Sequence, residues 1–267
     1  MKRKLGINSE CISGVSSEDT LNLIRDAGFD CYFTDKYHLS DAEPVYNRGL
    51  SLGLECEFIH APFKEINSMW YKTDEHPNVY IRAAETIDTA AALQIPTVII
   101  HTTSGWNPPE INDKGLHRFD LLVERAAKRG VTLAFENLRK VGIVSYMLDR
   151  YRNFNNVSFC YDVGHEFCYT NGVDWIGIAK RKINCTHIHD NLGQTENPEI
   201  HDDMHLLPFD GKIDYENMIK RLDAYSYYGS LMLEVFNNSK EEYAKMSAEE
   251  FIGTAYERLK KIADYSK

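Results

Sequence analysis

Short apolar runs recur along the chain, and polar stretches of a different period separate them. Strand-like runs begin near Leu5, Phe29, Leu54, Thr97, Val131, Val157, Asn184 and Leu231. The intervening segments carry apolar residues at helical spacing. Residues 17–28 open on serine with an acidic first turn and close on glycine, the start and stop signals of a helix. Residues 78–93 are alanine-rich and amphipathic, 116–129 end before Gly130, 214–222 start on an aspartate cap, and 248–263 form the last helix.

Eight strands alternating with helices predict parallel pairing through βαβ units. Eight such units in a chain of this length favour a closed barrel over an open doubly wound sheet. A dinucleotide fold would also need a glycine-rich first turn, and Gly6-Ile-Asn-Ser-Glu10 lacks the GxGxxG pattern. No Gly/Ser tract, low-complexity run or internal repeat divides the sequence. The expectation is one (β/α)8 barrel domain over residues 1–267.

Composition narrows the setting. A hydrophobic content of 43% is ample for a core, and the net charge of −10 argues against nucleic acid and anionic membranes as partners. Met1-Lys-Arg-Lys-Leu-Gly6 is not followed by the apolar stretch of a signal peptide. No apolar run approaches the ~18 residues of a membrane span. The six cysteines form no CxxC pair and sit among strand-like apolar residues, as small buried hydrophobes do. A cytoplasmic protein is the expectation.

The chemistry gathers where the strands stop. His60, His101, Glu136, Asp162, His189 and Glu234 each end an apolar run, and barrel active sites are assembled at the carboxyl ends of the strands. Any one of them fits an ordinary strand-end salt bridge. Three buried carboxylates and an imidazole at one point, Glu136, Asp162, His189 and Glu234, suit a divalent ion such as Mn, Mg, Co or Zn. His165 follows Asp162 by three residues, as ligand or substrate contact. His187 and His189 face the same side of their strand; His189, nearer the end, takes the ligand position, and His187 reads as a hydrogen-bonded interior residue. The long segment 190–211 carries His201, Asp202, Asp203 and His205, and connections of that length are usually functional. Phe63, Trp70 and Trp106 follow the third and fourth strands, where they can wall a ligand pocket.

The strings His60-Ala-Pro, Phe135-Glu-Asn137, Tyr161-Asp-Val-Gly-His165, His187-Ile-His-Asp-Asn191, Asp203-Met-His205 and Leu233-Glu234 resemble the xylose isomerase-like TIM-barrel superfamily. It includes sugar and sugar-phosphate isomerases and epimerases and also endonuclease IV. The resemblance implies one divalent ion on Glu136, Asp162, His189 and Glu234, with Glu136 and Glu234 as the catalytic acid/base pair. It implies a substrate contact from His165, with a carbohydrate as substrate and a homodimer as a common assembly; His60, His101, Trp106 and Phe63, at the adjoining strand ends, are the further substrate contacts expected from their position. Endonuclease IV holds three zinc ions, and its five further ligands match His60, His101, His165, Asp203 and His205, so additional zinc ions stand as an alternative. Two features depart from the nuclease: Leu138-Arg-Lys-Val-Gly142 replaces a glycine-containing polar stretch, and His201-Asp-Asp-Met-His205 is acidic where the nuclease is basic. The leading expectation is a metal-dependent sugar isomerase or epimerase working through an enediolate. The runner-up is an apurinic-site phosphodiesterase, and the third reading is a barrel that binds sugars without converting them.

Overall fold

The computed structural model describes residues 3–196 and 202–266. Its strands are β1 (Leu5–Asn8), β2 (Cys31–Thr34), β3 (Glu55–His60), β4 (Thr97–Ile100), β5 (Thr132–Glu136), β6 (Val157–Asp162), β7 (Ile183–His187) and β8 (Leu231–Leu233). All pair in parallel, in the order β7-β6-β5-β4-β3-β2-β1-β8. The ring closes just beyond β7. There Ile188 bridges Leu233, its N–H donating to the Met232 carbonyl at 2.8 Å while Glu234 N–H donates to the Ile188 carbonyl at 3.0 Å. The expected (β/α)8 barrel is the observed fold, with each strand within two residues of its predicted start.

The helices are α1 (Ser17–Ala27), α2 (Leu39–Leu52), α3 (Asn78–Ala92), α4 (Asp113–Arg129), α5 (Val141–Arg150), α6 (Val163–Tyr169), α7 (Trp175–Ala179), α8 (Tyr215–Ala224) and α9 (Ala248–Ala263). Of those anticipated from sequence, α1, α4, α8 and α9 carry side-chain caps, while α3, read from its alanine-rich amphipathic pattern, has none. Ser16 caps α1 by accepting from Asp19 N–H, Gly28 ends it at φ 104°, Asp214 caps α8, and Ser247 with Glu250 forms a capping box on α9. The helices the sequence reading passed over lack them or are short. The α2 helix has no side-chain cap and holds Pro44, α5 likewise has no side-chain cap, and α6 and α7 span 7 and 5 residues.

Strand residues alternate between two buried clusters. One face packs outward beneath the helices. The other faces the barrel interior, where Cys31, Phe33, Phe58, Ile99, Ala134, Cys160, Cys185 and Met232 form a closed apolar layer. On β1 the space allows only glycine: a Cβ on Gly6 would lie 2.5 Å from Met232 Sδ and 2.7 Å from Cys31 Sγ. All six cysteines are free and buried, as expected. No helix among the described residues is long and apolar enough to cross a membrane.

Candidate functional site

Two residues beyond this apolar layer, every strand places a polar side chain on the carboxyl rim: Asn8, Asp35, His60, His101, Glu136, Asp162, His187 and Glu234. The period-two row that buries Ala134, Cys160, Cys185 and Met232 thus carries Glu136, Asp162, His187 and Glu234 above them. Their donor atoms lie within 4.8 Å of one another. The four-donor group therefore contains His187 where the sequence reading placed His189. Register is the reason: Asp162 pairs with His187, and β7 ends there.

Glu136 is the hub. Its Oε2 accepts from His101 Nε2 at 3.0 Å and His60 Nε2 at 3.3 Å, while Oε1 faces His187 Nδ1 at 3.3 Å and His165 Nδ1 at 3.2 Å. His187 Nδ1 also lies 3.2 Å from Glu234 Oε2. Asn137, next in the chain, locks β5 to β6: its amide donates to the Asp162 carbonyl at 2.7 Å and accepts from Asp162 N–H at 2.8 Å. Asp162 in turn accepts from His165 N–H at 2.6 Å and caps α6.

His189 sits one layer higher, with Nε2 3.1 Å from Asp162 Oδ2 and its ring stacked on His205 at 4.0 Å. It occupies the place a Cβ on Gly164 would need, 2.0 Å from its Cε1, which explains the glycine between Asp162 and His165. The segment after β7 folds back over the rim because Asp190 accepts from the N–H groups of Asn191, Phe209 and Ile213, and Asn191 accepts from Met204 N–H. This tether sets Asp203 3.0 Å from His165 Nε2 and 3.3 Å from His205 Nε2. His205 takes a left-handed backbone, φ 47°, a conformation that non-glycine residues adopt where the surroundings impose it. His201 lies outside the described residues. Asp202 turns away to accept from Thr195 N–H at 3.0 Å.

Charge is balanced within the cluster. Burial raises the Glu136 carboxyl, but the charges and hydrogen bonds of His187, His101 and His165 hold it well below the usual carboxylate range. Asp203, against the same burial, is held well below its usual value by His205 and His165. Burial lowers His60, and Glu136 outweighs it, pushing the imidazole up to about 9. His205, beside Asp203, reaches about 10. His101 is lowered, burial outweighing Glu136. No lysine or arginine among the described residues pairs with these carboxylates.

The donors fit a cation. His60, His165 and His205 each turn Nδ1 to a backbone carbonyl (Ala61, Asn137 and Glu234, at 2.9, 3.0 and 2.9 Å) and aim Nε2 at a carboxylate. That arrangement fixes the tautomer of a metal-ligating imidazole. Donor sets of three extend from the group of four: His60, His101 and Glu136 share Glu136 with it, and Asp162, His165 and His189 share Asp162; a further set, His189, Asp203 and His205, joins the second of these through His189.

A cavity of about 270 Å³ opens over the cluster between Phe63 and Tyr169. Phe63 stacks on His101 at 4.4 Å. Trp106 stands behind, edge-on to Tyr169 at 5.9 Å. Trp70 does not form a wall: it is 1% exposed, packs on Phe119, and its Nε1–H donates to the Thr102 carbonyl at 2.8 Å. The sequence reading passed over Asp35 and Tyr169. Asp35, open to solvent, follows Phe33 by two and was findable from the alternation; Tyr169 reaches the pocket through the turn of α6 and left no such sign. A larger groove of about 750 Å³ at the opposite barrel end, between Leu148, Ile178 and Tyr225, has no comparable donor cluster.

A parallel eight-stranded barrel rimmed by acids and imidazoles is the class that fold and site define. Within it, the chain belongs to the xylose isomerase-like TIM barrel family, whose model matches residues 21–262. A curated relative, the uncharacterized protein y4fM of Sinorhizobium fredii, is 27% identical and covers 80% of this chain and 79% of its own. Among solved structures, a D-tagatose 3-epimerase-like protein superposes with a TM-score of 0.73 at 18% identity, covering 98% of this chain and 97% of that one. An L-ribulose 3-epimerase gives 0.72 at 20%, covering 98% and 95%. At these identities the structural likeness speaks for the fold.

Proposed function

We propose that the protein is a divalent-metal-dependent isomerase or epimerase acting on a sugar or closely related keto-polyol. The observation that carries this reading is the four-donor group of Glu136, Asp162, His187 and Glu234 beside a pocket of small-ligand size. The two solved neighbours, a D-tagatose 3-epimerase-like protein and an L-ribulose 3-epimerase, agree with it. Glu136, Asp162, His187 and Glu234 would hold the ion, which when bound would polarise a substrate carbonyl and its adjacent hydroxyl and acidify the C–H between them. Glu136 and Glu234 reach the site from β5 and from the end of β8, strands that are not neighbours in the barrel. One carboxylate removes the proton, and the other returns one to the opposite face or the adjoining carbon. His165, fixed by the Asn137 carbonyl and Asp203, is placed to donate to a substrate oxygen, and Phe63 covers the apolar side.

The test is exchange of substrate C–H for deuterium in heavy water with Mn²⁺, followed by NMR over a panel of ketoses. Glu234→Gln should abolish exchange while circular dichroism stays unchanged; exchange that persists in that variant would remove Glu234 from the mechanism. The overlapping donor sets favour a second reading, a phosphodiesterase with three zinc ions in which His60, His101, His165, Asp203 and His205 are also ligands. Metal analysis separates the two. About one ion per chain supports the isomerase, whereas close to three zinc with cleavage of an abasic duplex supports the nuclease.

A further inference from the structure

The pocket contains one lysine or arginine among its lining residues, Arg139, three positions after Glu136 on the loop between β5 and α5. Its guanidinium carbon lies 3.6 Å from the centre of the Tyr169 ring and 5.5 Å from that of Trp106, and it donates to the Tyr169 hydroxyl. Tyr169 stacks on His165 at 5.0 Å and 26°. Guanidinium, phenol and imidazole thus form one stack leading from the pocket wall to the donor cluster.

Among the described residues Arg139 has no carboxylate partner, and its Nε is buried without a hydrogen bond. Arg3, Arg125, Arg150, Arg221 and Arg258 hold carboxylates, and the buried Arg118 is taken up by the backbone carbonyls of Met69, Tyr71, Thr73 and Glu75; Arg139 has only the Tyr169 hydroxyl among the described residues. A half-buried guanidinium with free donors beside a pocket is a fork shaped for a carboxylate or phosphate, and stacking on an aromatic ring already fixes its plane. Glu136, Asp203 and Glu234 line the same pocket and are matched there by the imidazoles of His60, His165 and His205, which leaves Arg139 as the lining cation that no carboxylate among the described residues neutralises. An anionic ligand would therefore have to enter with its charged end toward Arg139.

We propose that Arg139 recognises an anionic group, a carboxylate or a phosphate ester, on the substrate, and so decides which end of the molecule faces Glu136 and Glu234. This rests on the sugar-chemistry reading above. The test is calorimetric binding to the Mn²⁺-loaded protein, with D-fructose, D-fructose 6-phosphate and D-glucuronate as probes. At least one anion should bind about tenfold or more tightly than D-fructose, the scale of a charge-assisted bidentate contact. Arg139→Met should remove that preference, so that the anions bind no more tightly than D-fructose does to the same variant. Arg139→Gln, which keeps a donor without the charge, should do the same if the methionine variant folds poorly, and Arg139→Lys should retain part of the preference. Preference for the phosphate ester or for glucuronate identifies the anion. Equal affinity for D-fructose and both anions, no binding of either anion, or a preference that survives in Arg139→Met and Arg139→Gln overturns the proposal. Binding is read without turnover, so anion preference without deuterium exchange removes the catalytic reading alone. Exchange of neutral ketoses without anion preference removes this inference alone.

Discussion

Two residues separate the driest layer of this barrel from its most polar. Phe33, Phe58, Ile99, Ala134, Cys160, Cys185 and Met232 fill the interior; two positions on, the same strands carry Asp35, His60, His101, Glu136, Asp162, His187 and Glu234. Strand, face and period are shared, so the difference lies only in height along the barrel. The lower layer makes the upper one reactive. It seals the barrel from below and removes the water that would solvate Glu136 and Asp162, which are 1% and 0% exposed. His187 shows the join: its ring stacks on Phe33 at 5.0 Å, its Nδ1 faces two glutamates, and its buried Nε2 has no partner among the described residues.

Changing one residue from each layer tests whether the upper carries chemistry and the lower carries stability. Glu136→Gln should cut deuterium exchange by about 10²–10⁴-fold, the range for a lost acid/base group, with the far-ultraviolet dichroism unchanged. Phe58→Ala, directly below His60 on β3, should lower the unfolding free energy by ~3–5 kcal/mol in urea titration, because it empties a site walled by Phe33 and His187. If Glu136→Gln unfolds the protein while Phe58→Ala is tolerated, the division between the layers is wrong.

The same division marks how far the sequence could be read. Strand positions were legible because Val98-Ile-Ile-His101 and Val131-Thr-Leu-Ala-Phe-Glu136 are apolar runs with polar stops, which few other structures explain. Height on the barrel was harder. Cys185-Thr-His-Ile-His189 offers two histidines on one face, and the choice between them depends on the shifted register between β6 and β7, which a single strand does not contain. Asp35 reads as part of a turn until Phe33 is known to face inward. Asp203 and His205 were visible as donors, but their position comes from the tether through Asp190 and Asn191, a long-range arrangement with no local pattern. Trp70 shows the converse: a tryptophan in a loop beside the rim is a core residue because Gly115 leaves room for its ring.

The register argument has its own test. His187→Asn should weaken Mn²⁺ binding by more than about a hundredfold, exceeding the ~10–100-fold typical of an outer partner, whereas His189→Asn should fall within or below that range. Equal losses, or a larger loss at His189, would return the ligand position to the upper histidine.

The smallest effect separates rim from periphery by a single methyl group. Gly164 lies against His189, and a Cβ there would come within 2.0 Å of the ring; at Gly253, half-buried within α9, an added Cβ has nothing within 4 Å. Gly164→Ala should therefore destabilise by ~1–3 kcal/mol, as overpacking of a close-packed site does. Gly253→Ala should stabilise by about 0.5–1 kcal/mol, because alanine restricts the unfolded chain and favours the helix. Both are read from urea midpoints at unchanged slope. A neutral Gly164→Ala would mean that His189 can move aside, and the upper histidine would then be a mobile member of the site, not a packed one.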